Sequence, residues 1–173
     1  MSKNFGPIRQ LGYMVRDIEQ SMQHWSQTLG IGPWFYNERF AFDSFVYGGK
    51  RHDGIELSVA MANSGDMQIE LIEQRCQTPS MYLDFLATSG EGLQHVAFWP
   101  NDYDTAYRQA LETGYVVGQE GQLPRGRFVY FRSSGHAGTV FEFNEITPVR
   151  EEIIESIRQA ALDWDGSEPI RRS

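Results

Sequence analysis

The chain has 173 residues, 40% hydrophobic and 22% charged, which is enough for one sizeable core or two fused small ones and too apolar for a disordered polymer. Its formal charge of -8 argues against a nucleic-acid partner, which needs a basic surface, and no apolar run is long enough for a helical membrane span. The lone Cys76 cannot form an internal disulfide, and the opening Met1-Ser2-Lys3-Asn4 lacks an apolar signal core, so a cytoplasmic protein is expected.

Ile8 to Val15 reads as a strand, and Asp17 then stands where a helix N-cap belongs. Ile18, Met22, Trp25 and Leu29 recur at helical spacing, with Gly30 as the left-handed stop. Gly32-Pro33 turns the chain into an aromatic strand from Trp34 through Phe40, Phe42, Phe45 and Tyr47, broken by Gly48-Gly49. Ile55–Met61 and Met67–Glu73 follow as strands around the turn-like Asn63-Ser64-Gly65-Asp66. A short helix over Ser80–Leu86, capped by Thr78 or Ser80, ends at Gly90-Glu91-Gly92.

The order of elements then begins again. His95–Trp99 reads as a strand, Asp102 or Asp104 caps a helix that Gly114 stops, and Phe128–Phe131 and Thr139–Phe143 read as further strands. Thr147-Pro148 opens a last amphipathic helix, whose tail from Asp165 to Ser173 is expected to fray. The fold class expected is α+β, with tandem βαβββ modules forming a curved mixed sheet around a shared cavity, plus an extra C-terminal helix. We place the first module at 7–75, a connecting helix and loop at 76–91, the second module at 92–146, and the C-terminal helix and tail at 147–173. That helix either covers its own domain or contacts a second subunit, and a homodimer is expected.

Corresponding places in the two units carry polar residues with coordinating atoms. Gln10 in the first opening strand matches His95 in the second, with Asp17 and Asp102 at equal distances behind them. Each unit closes on an apolar-Glu-apolar triplet, Ile69-Glu70-Leu71 and Phe141-Glu142-Phe143. Period-two alternation turns each glutamate away from its bulky neighbours, so both could enter one cavity if the sheets curve together. A buried unpaired carboxylate is costly, and a divalent cation held by Gln10, Glu70, His95 and Glu142 would offset that cost. One imidazole, two carboxylates and an amide oxygen suit zinc first, with nickel, cobalt, manganese or iron(II) as alternatives. The blander reading makes His95 a core residue and each glutamate the solvent-facing member of its strand.

Gln10-Leu11-Gly12-Tyr13-Met14-Val15-Arg16-Asp17, Ile69-Glu70-Leu71, Gly92-Leu93-Gln94-His95-Val96-Ala97 and Gly138-Thr139-Val140-Phe141-Glu142-Phe143 together resemble the vicinal oxygen chelate superfamily over about residues 7 to 146. That superfamily includes glyoxalase I, methylmalonyl-CoA epimerase, extradiol dioxygenases and the bleomycin-resistance proteins. The resemblance implies metal ligands at Gln10, Glu70, His95 and Glu142, an order shared with the eukaryotic type of glyoxalase I. It counts against an extradiol dioxygenase, which needs two histidines and one carboxylate. Met14 and the Leu71-Ile72-Glu73-Gln74 segment depart from glyoxalase I where that enzyme contacts glutathione, and the overall organisation is closer to the epimerase-like branch. That branch uses a glutamate from the strand before the second ligand, for which His52 and Asp53 are the nearest counterparts.

The activity implied is that of a divalent-metal-dependent isomerase, epimerase or lyase acting on a small oxo or acyl substrate through a stabilised enolate. Glu142 is the first candidate for the base and Glu70 the second, with Asp53 or His52 outside the ligand set. Arg125 and Arg127 could clamp a substrate carboxylate or phosphate, and Trp99 and Tyr130 could line the pocket. The alternative is a non-catalytic sequestering protein of the bleomycin-resistance type.

Overall fold

The computed structural model describes residues 2–133 and 140–172. The expected start of a strand at Thr139 lies outside those residues. The first half runs β1 (Ile8–Met14), α1 (Ile18–Leu29), β2 (Trp34–Phe40), β3 (Ser44–Tyr47), β4 (Lys50–Arg51), β5 (Leu57–Ser64) and β6 (Met67–Gln74). After α2 (Met81–Thr88), the second half runs β7 (Gly92–Phe98), α3 (Tyr103–Glu112), β8 (Val116–Leu123), β9 (Gly126–Arg132) and β10 (Phe141–Asn144), followed by α4 (Pro148–Leu162) and β11 (Ile170–Arg172). The caps fall as local chemistry dictates. Asp17 accepts from the Gln20 amide at 2.9 Å, Ser80 from Leu83 at 3.1 Å, and Asp102 from Thr105 at 3.0 Å.

All strands join one mixed sheet in the order β11-β2-β5-β6-β1-β7-β10-β9-β8-β3-β4. At its middle the two opening strands, β1 and β7, pair antiparallel, and each is flanked on its other side by its own module's closing strand in parallel, β6 and β10 respectively. The sheet has to curl. Laid flat, β2 and β3 would lie eight strand spacings apart, about 38 Å, yet residues 41–43 joining them reach only ~15 Å. Phe42 of that connection packs edge-on against Phe40, Phe45 and Phe128 and fills the gap between the sheet's two ends. The single aromatic strand expected over 34–47 is therefore two strands on opposite arms of an open sheet. Phe42 is drawn into apolar contact there instead of continuing a ladder.

Curvature sorts the side chains into three apolar clusters. Leu11, Tyr13, Ile69 and Leu71 face outward under α1, while Val96, Phe98, Phe141 and Phe143 face outward under α3. Met14, Phe45, Leu57, Val59, Ile72, Phe128 and Tyr130 line the concave side. Residues alternating with the two outward clusters, Gln10, Glu70, His95 and Glu142, consequently point inward.

The tail departs from the frayed end expected of it. β11 runs parallel to β2 with Ile170 opposite Trp34, and Trp34 donates its backbone N–H to Pro169 O at 2.8 Å. Arg172 reaches Glu19 at 3.0 Å and lies over the Tyr36 ring. The partner for this strand is 136 residues away in sequence (170 − 34), so no local pattern announces it. Deleting residues 165–173 should cost roughly 1–2 kcal/mol, a fall in Tm of about 3–6 °C on thermal unfolding monitored by circular dichroism.

Candidate metal centre

The four central strands, β6-β1-β7-β10, each contribute one of the expected ligands: Glu70, Gln10, His95 and Glu142 respectively. Register groups them into two neighbouring rows. Gly12 lies opposite both Glu70 and His95, and Ala97 lies opposite both Gln10 and Glu142. A small residue therefore sits in the middle of each row and leaves space between the polar groups. The space at Gly12 is occupied by the His95 ring itself, since a Cβ there would overlap ring atoms Cε1, Nε2 and Nδ1.

His95 is 1% exposed, and its Nε2 lies 3.5 Å from Glu70 Oε2 and 3.4 Å from Glu142 Oε2. Coordinating atoms of the three residues all fall within 4.8 Å of one another. The groups around them act as orienting partners. Nδ1 of His95 donates to Gln94 Oε1 at 2.7 Å, which leaves the Nε2 lone pair of the neutral ring aimed at the carboxylates. Asn144 donates to Glu142 Oε2 at 2.7 Å, and Gln10 Nε2 donates to Gln68 Oε1 at 2.8 Å. The Tyr130 ring meets the His95 ring edge to face at 4.9 Å, and Tyr82 donates its hydroxyl to that of Tyr130 at 3.2 Å.

Besides Gln68 Nε2, two buried atoms here have no hydrogen-bond partner, Gln10 Oε1 and His95 Nε2. Both are coordinating atoms, and buried polar atoms are seldom left unsatisfied without a ligand or functional reason. An amide oxygen, one imidazole and two carboxylates without a thiolate form a donor set that fits a divalent cation of the zinc-to-manganese series. Electrostatics agree with that fit. Burial alone would disfavour a charged imidazole, but the adjoining carboxylates of Glu142 and Glu70 outweigh it and hold the His95 pKa at about 9. Burial raises the pKa of Glu70, with the negative Glu142 adding to the rise and His95 opposing it. An incoming cation would therefore take the place of a proton on His95.

The cluster lies at the base of a cavity with about 590 Å³ of empty space, open mouth included. Gln10, Glu70 and Glu142 line it together with apolar side chains such as Phe40, Leu57, Val59 and Phe128. Trp99, Tyr130 and Arg125 line it too, where a substrate-binding role was expected for them. Arg127 is elsewhere. It forms ion pairs with Asp104 and Glu145 at 2.8 Å each and stacks on Tyr103, so its charge is committed beside a separate surface groove. His52 and Asp53 are also absent from the lining. They follow the exposed β4 edge, with His52 beside the Tyr47 ring and Asp53 paired with Arg51 at 3.5 Å.

Several contributors were missed in the sequence. Gln94 reaches its neighbour His95 because the β1–β7 register slips between Gly12 and Tyr13, leaving Gln94 as the extra residue of a bulge. The same slip breaks the alternation between Leu93 and His95, and Leu93 is 46% exposed. Asn144 stands two residues after Glu142 and so on the same strand face, a signal that alternation carries. Arg150, Ile153 and Ile154 come from α4, which covers its own domain at the cavity.

Comparison with known proteins gives an answer consistent with this geometry. The family model described as "Glyoxalase/Bleomycin resistance protein/Dioxygenase superfamily" matches residues 9–131. No curated protein matches the chain in sequence. Among solved structures, a methylmalonyl-CoA epimerase from Mycobacterium tuberculosis superposes with a TM-score of 0.61 at 17% identity, covering 88% of this chain and 95% of its own. A hypothetical protein from Bacillus halodurans C-125 gives 0.60 at 17% identity, with coverages of 82% and 94%. A Streptomyces coelicolor methylmalonyl-CoA epimerase variant, in complex with 2-nitronate-propionyl-CoA, gives 0.56 at 18% identity, with coverages of 84% and 97%. At these identities the likeness is one of fold.

Proposed function

The chain belongs to the Glyoxalase/Bleomycin resistance protein/Dioxygenase superfamily, and from that membership we propose that it is a divalent-metal-dependent epimerase or isomerase of a small oxo or acyl compound. The observation that carries this reading is the convergence of Glu70, His95 and Glu142 coordinating atoms within 4.8 Å at the base of an apolar cavity. Gln10, Glu70, His95 and Glu142 would hold the ion. A divalent cation bound there would supply positive charge beside a substrate carbonyl oxygen and so favour the electron shift toward it.

The protein's own groups supply the remaining steps. Apolar walls from Phe40, Phe128 and Leu57 exclude water around the substrate, which strengthens the polar interactions at the base of the cavity. Gln94, Asn144 and Gln68 hold the ligand side chains in place, so little reorganisation is needed during reaction. Glu70 is our choice for the proton-carrying group. Glu142 is held by a 2.7 Å hydrogen bond from Asn144, whereas the Glu70 carboxylate meets His95 at the longer distance of 3.5 Å. The Glu70 carboxylate takes the proton from the carbon next to the carbonyl, and the C–H electron pair moves into the enolate. Protonation of the opposite face, for which Glu142 is the other carboxyl group of the cluster, gives the epimer; where the carbon that loses its proton carries a hydroxyl, proton return to the former carbonyl carbon of the enediolate, with loss of the hydroxyl proton, gives the isomer.

The test is solvent-deuterium incorporation, followed by NMR with zinc- or cobalt-loaded protein and a panel of 2-oxo acids, acyl-CoA thioesters and hemithioacetals. Wild-type protein should exchange at least one of these compounds. Glu70→Gln at saturating metal should lower the rate by about 10²–10⁴-fold, the usual contribution of a positioned acid–base group. Full exchange by metal-free protein would refute the metal-dependent reading, and a Glu142→Gln defect without a Glu70→Gln defect would reassign the base to Glu142.

A further inference from the structure

The cavity lined by Glu70 and Glu142 is also lined by two arginines, Arg125 and Arg150. Neither has a carboxylate within 4.0 Å among the described residues. The Arg125 guanidinium lies over the Phe40 ring at 4.4 Å. Arg150 is 5% exposed, and its Nη1 donates to backbone, to Arg127 O at 3.0 Å and Glu145 O at 2.9 Å.

Their placement is built into the fold. Thr147, the N-cap of α4, donates its hydroxyl to Arg125 O at 2.8 Å and accepts from the Arg150 amide at 3.2 Å, joining the β8–β9 turn to the first turn of the helix. Gly126 lets the turn come that close. Its φ is +127°, and a Cβ there would lie 2.9 Å from Glu145 O. Two cations are thus fixed on one wall by backbone and cap contacts.

Charge in the cavity indicates what they are for. Two carboxylates face two guanidinium groups, and a divalent cation taking the place of the His95 proton would leave an excess of two positive charges in a mostly apolar cavity. Unpaired charge in such surroundings is costly, and an anionic ligand would relieve the cost. The planar fork of arginine matches a carboxylate in particular.

The geometry points to Arg125 and Arg150 as the anion subsite of a free oxo acid, whose carboxylate they bind while its carbonyl end reaches the Glu70–His95–Glu142 cluster and its apolar body rests on Phe40, Phe128 and Ile153. This rests on the metal-dependent reading above. It makes the substrate a small free acid, held in part by the C-terminal helix.

Binding of 2-oxo-4-methylpentanoate and of its methyl ester to zinc-loaded protein, measured by isothermal titration calorimetry, tests the assignment. Wild-type protein should bind the acid at least about 10-fold more tightly than the ester. Arg125→Gln should weaken the acid by about 10- to 100-fold and leave the ester unchanged, as expected for loss of a charge-assisted hydrogen bond, and Arg125→Lys should restore part of the preference. Arg150→Lys, which keeps the charge but loses the fork, should weaken the acid several-fold in protein whose thermal unfolding remains cooperative. Equal binding of acid and ester, or an Arg125→Gln variant that binds the acid as wild type does, would overturn the subsite. Elemental analysis of the same samples separates the two claims. Protein without zinc would contradict the metal reading, whereas an acid preference that disappears in Arg125→Gln would still support the subsite.

Discussion

Replacing His95 with Gln is expected to weaken zinc or cobalt binding by at least about 100-fold, since even partners that only orient metal ligands are worth 10- to 100-fold. The His95 ring gives Nε2 to the two carboxylates at 3.5 and 3.4 Å and is held by Gln94 through Nδ1. A glutamine keeps similar bulk but leaves Glu70 and Glu142 without an imidazole between them. Deuterium exchange into a substrate, measured at metal concentrations that saturate wild-type protein, should fall by about 10³-fold, equivalent to roughly 4 kcal/mol of lost charge stabilisation. Calorimetric metal titration together with NMR exchange provides both readouts. If His95→Gln bound metal as wild type does, the imidazole would not be a ligand.

The second large effect belongs to a residue with no functional group. Gly12→Ala should both destabilise the fold, by about 1–3 kcal/mol for overpacking at a buried position, and abolish stoichiometric metal binding. The added methyl would occupy the volume of the His95 ring, and Gly12 is also the register partner of Glu70. Urea denaturation gives the first quantity and elemental analysis the second. Gly12→Ala protein with wild-type stability and a full complement of metal would show that the ring does not need this space.

Much of the centre could be read from alternation. Glu70 stands between Ile69 and Leu71, and Glu142 between Phe141 and Phe143. Those apolar neighbours pack on the outward faces, which turns both carboxylates inward. The repeated order of elements likewise pointed to one curved sheet, because two units that each expose a strand can pair through their opening strands. What escaped that reading depends on distant contacts. The bulge at Gln94 exists only against β1, the division between β2 and β3 only because the sheet's ends come together around Phe42, and β11 only because β2 has a free edge. Arg127, which looked equivalent to Arg125, is withdrawn by Asp104 and Glu145, and Glu145 lies 18 residues further along the chain (145 − 127). Arg150 read as one more polar residue of an amphipathic helix until the cap contact between Thr147 and Arg125 brought it to the cavity.

The most direct measurement is a crystal structure of cobalt-soaked protein with anomalous scattering collected at the cobalt edge. We expect one strong anomalous peak among Glu70, His95 and Glu142, at about 2.0–2.2 Å from Nε2 and from an oxygen of each carboxylate, with Gln10 Oε1 turned toward it. A peak at some other place, or none at these three side chains, would contradict the account.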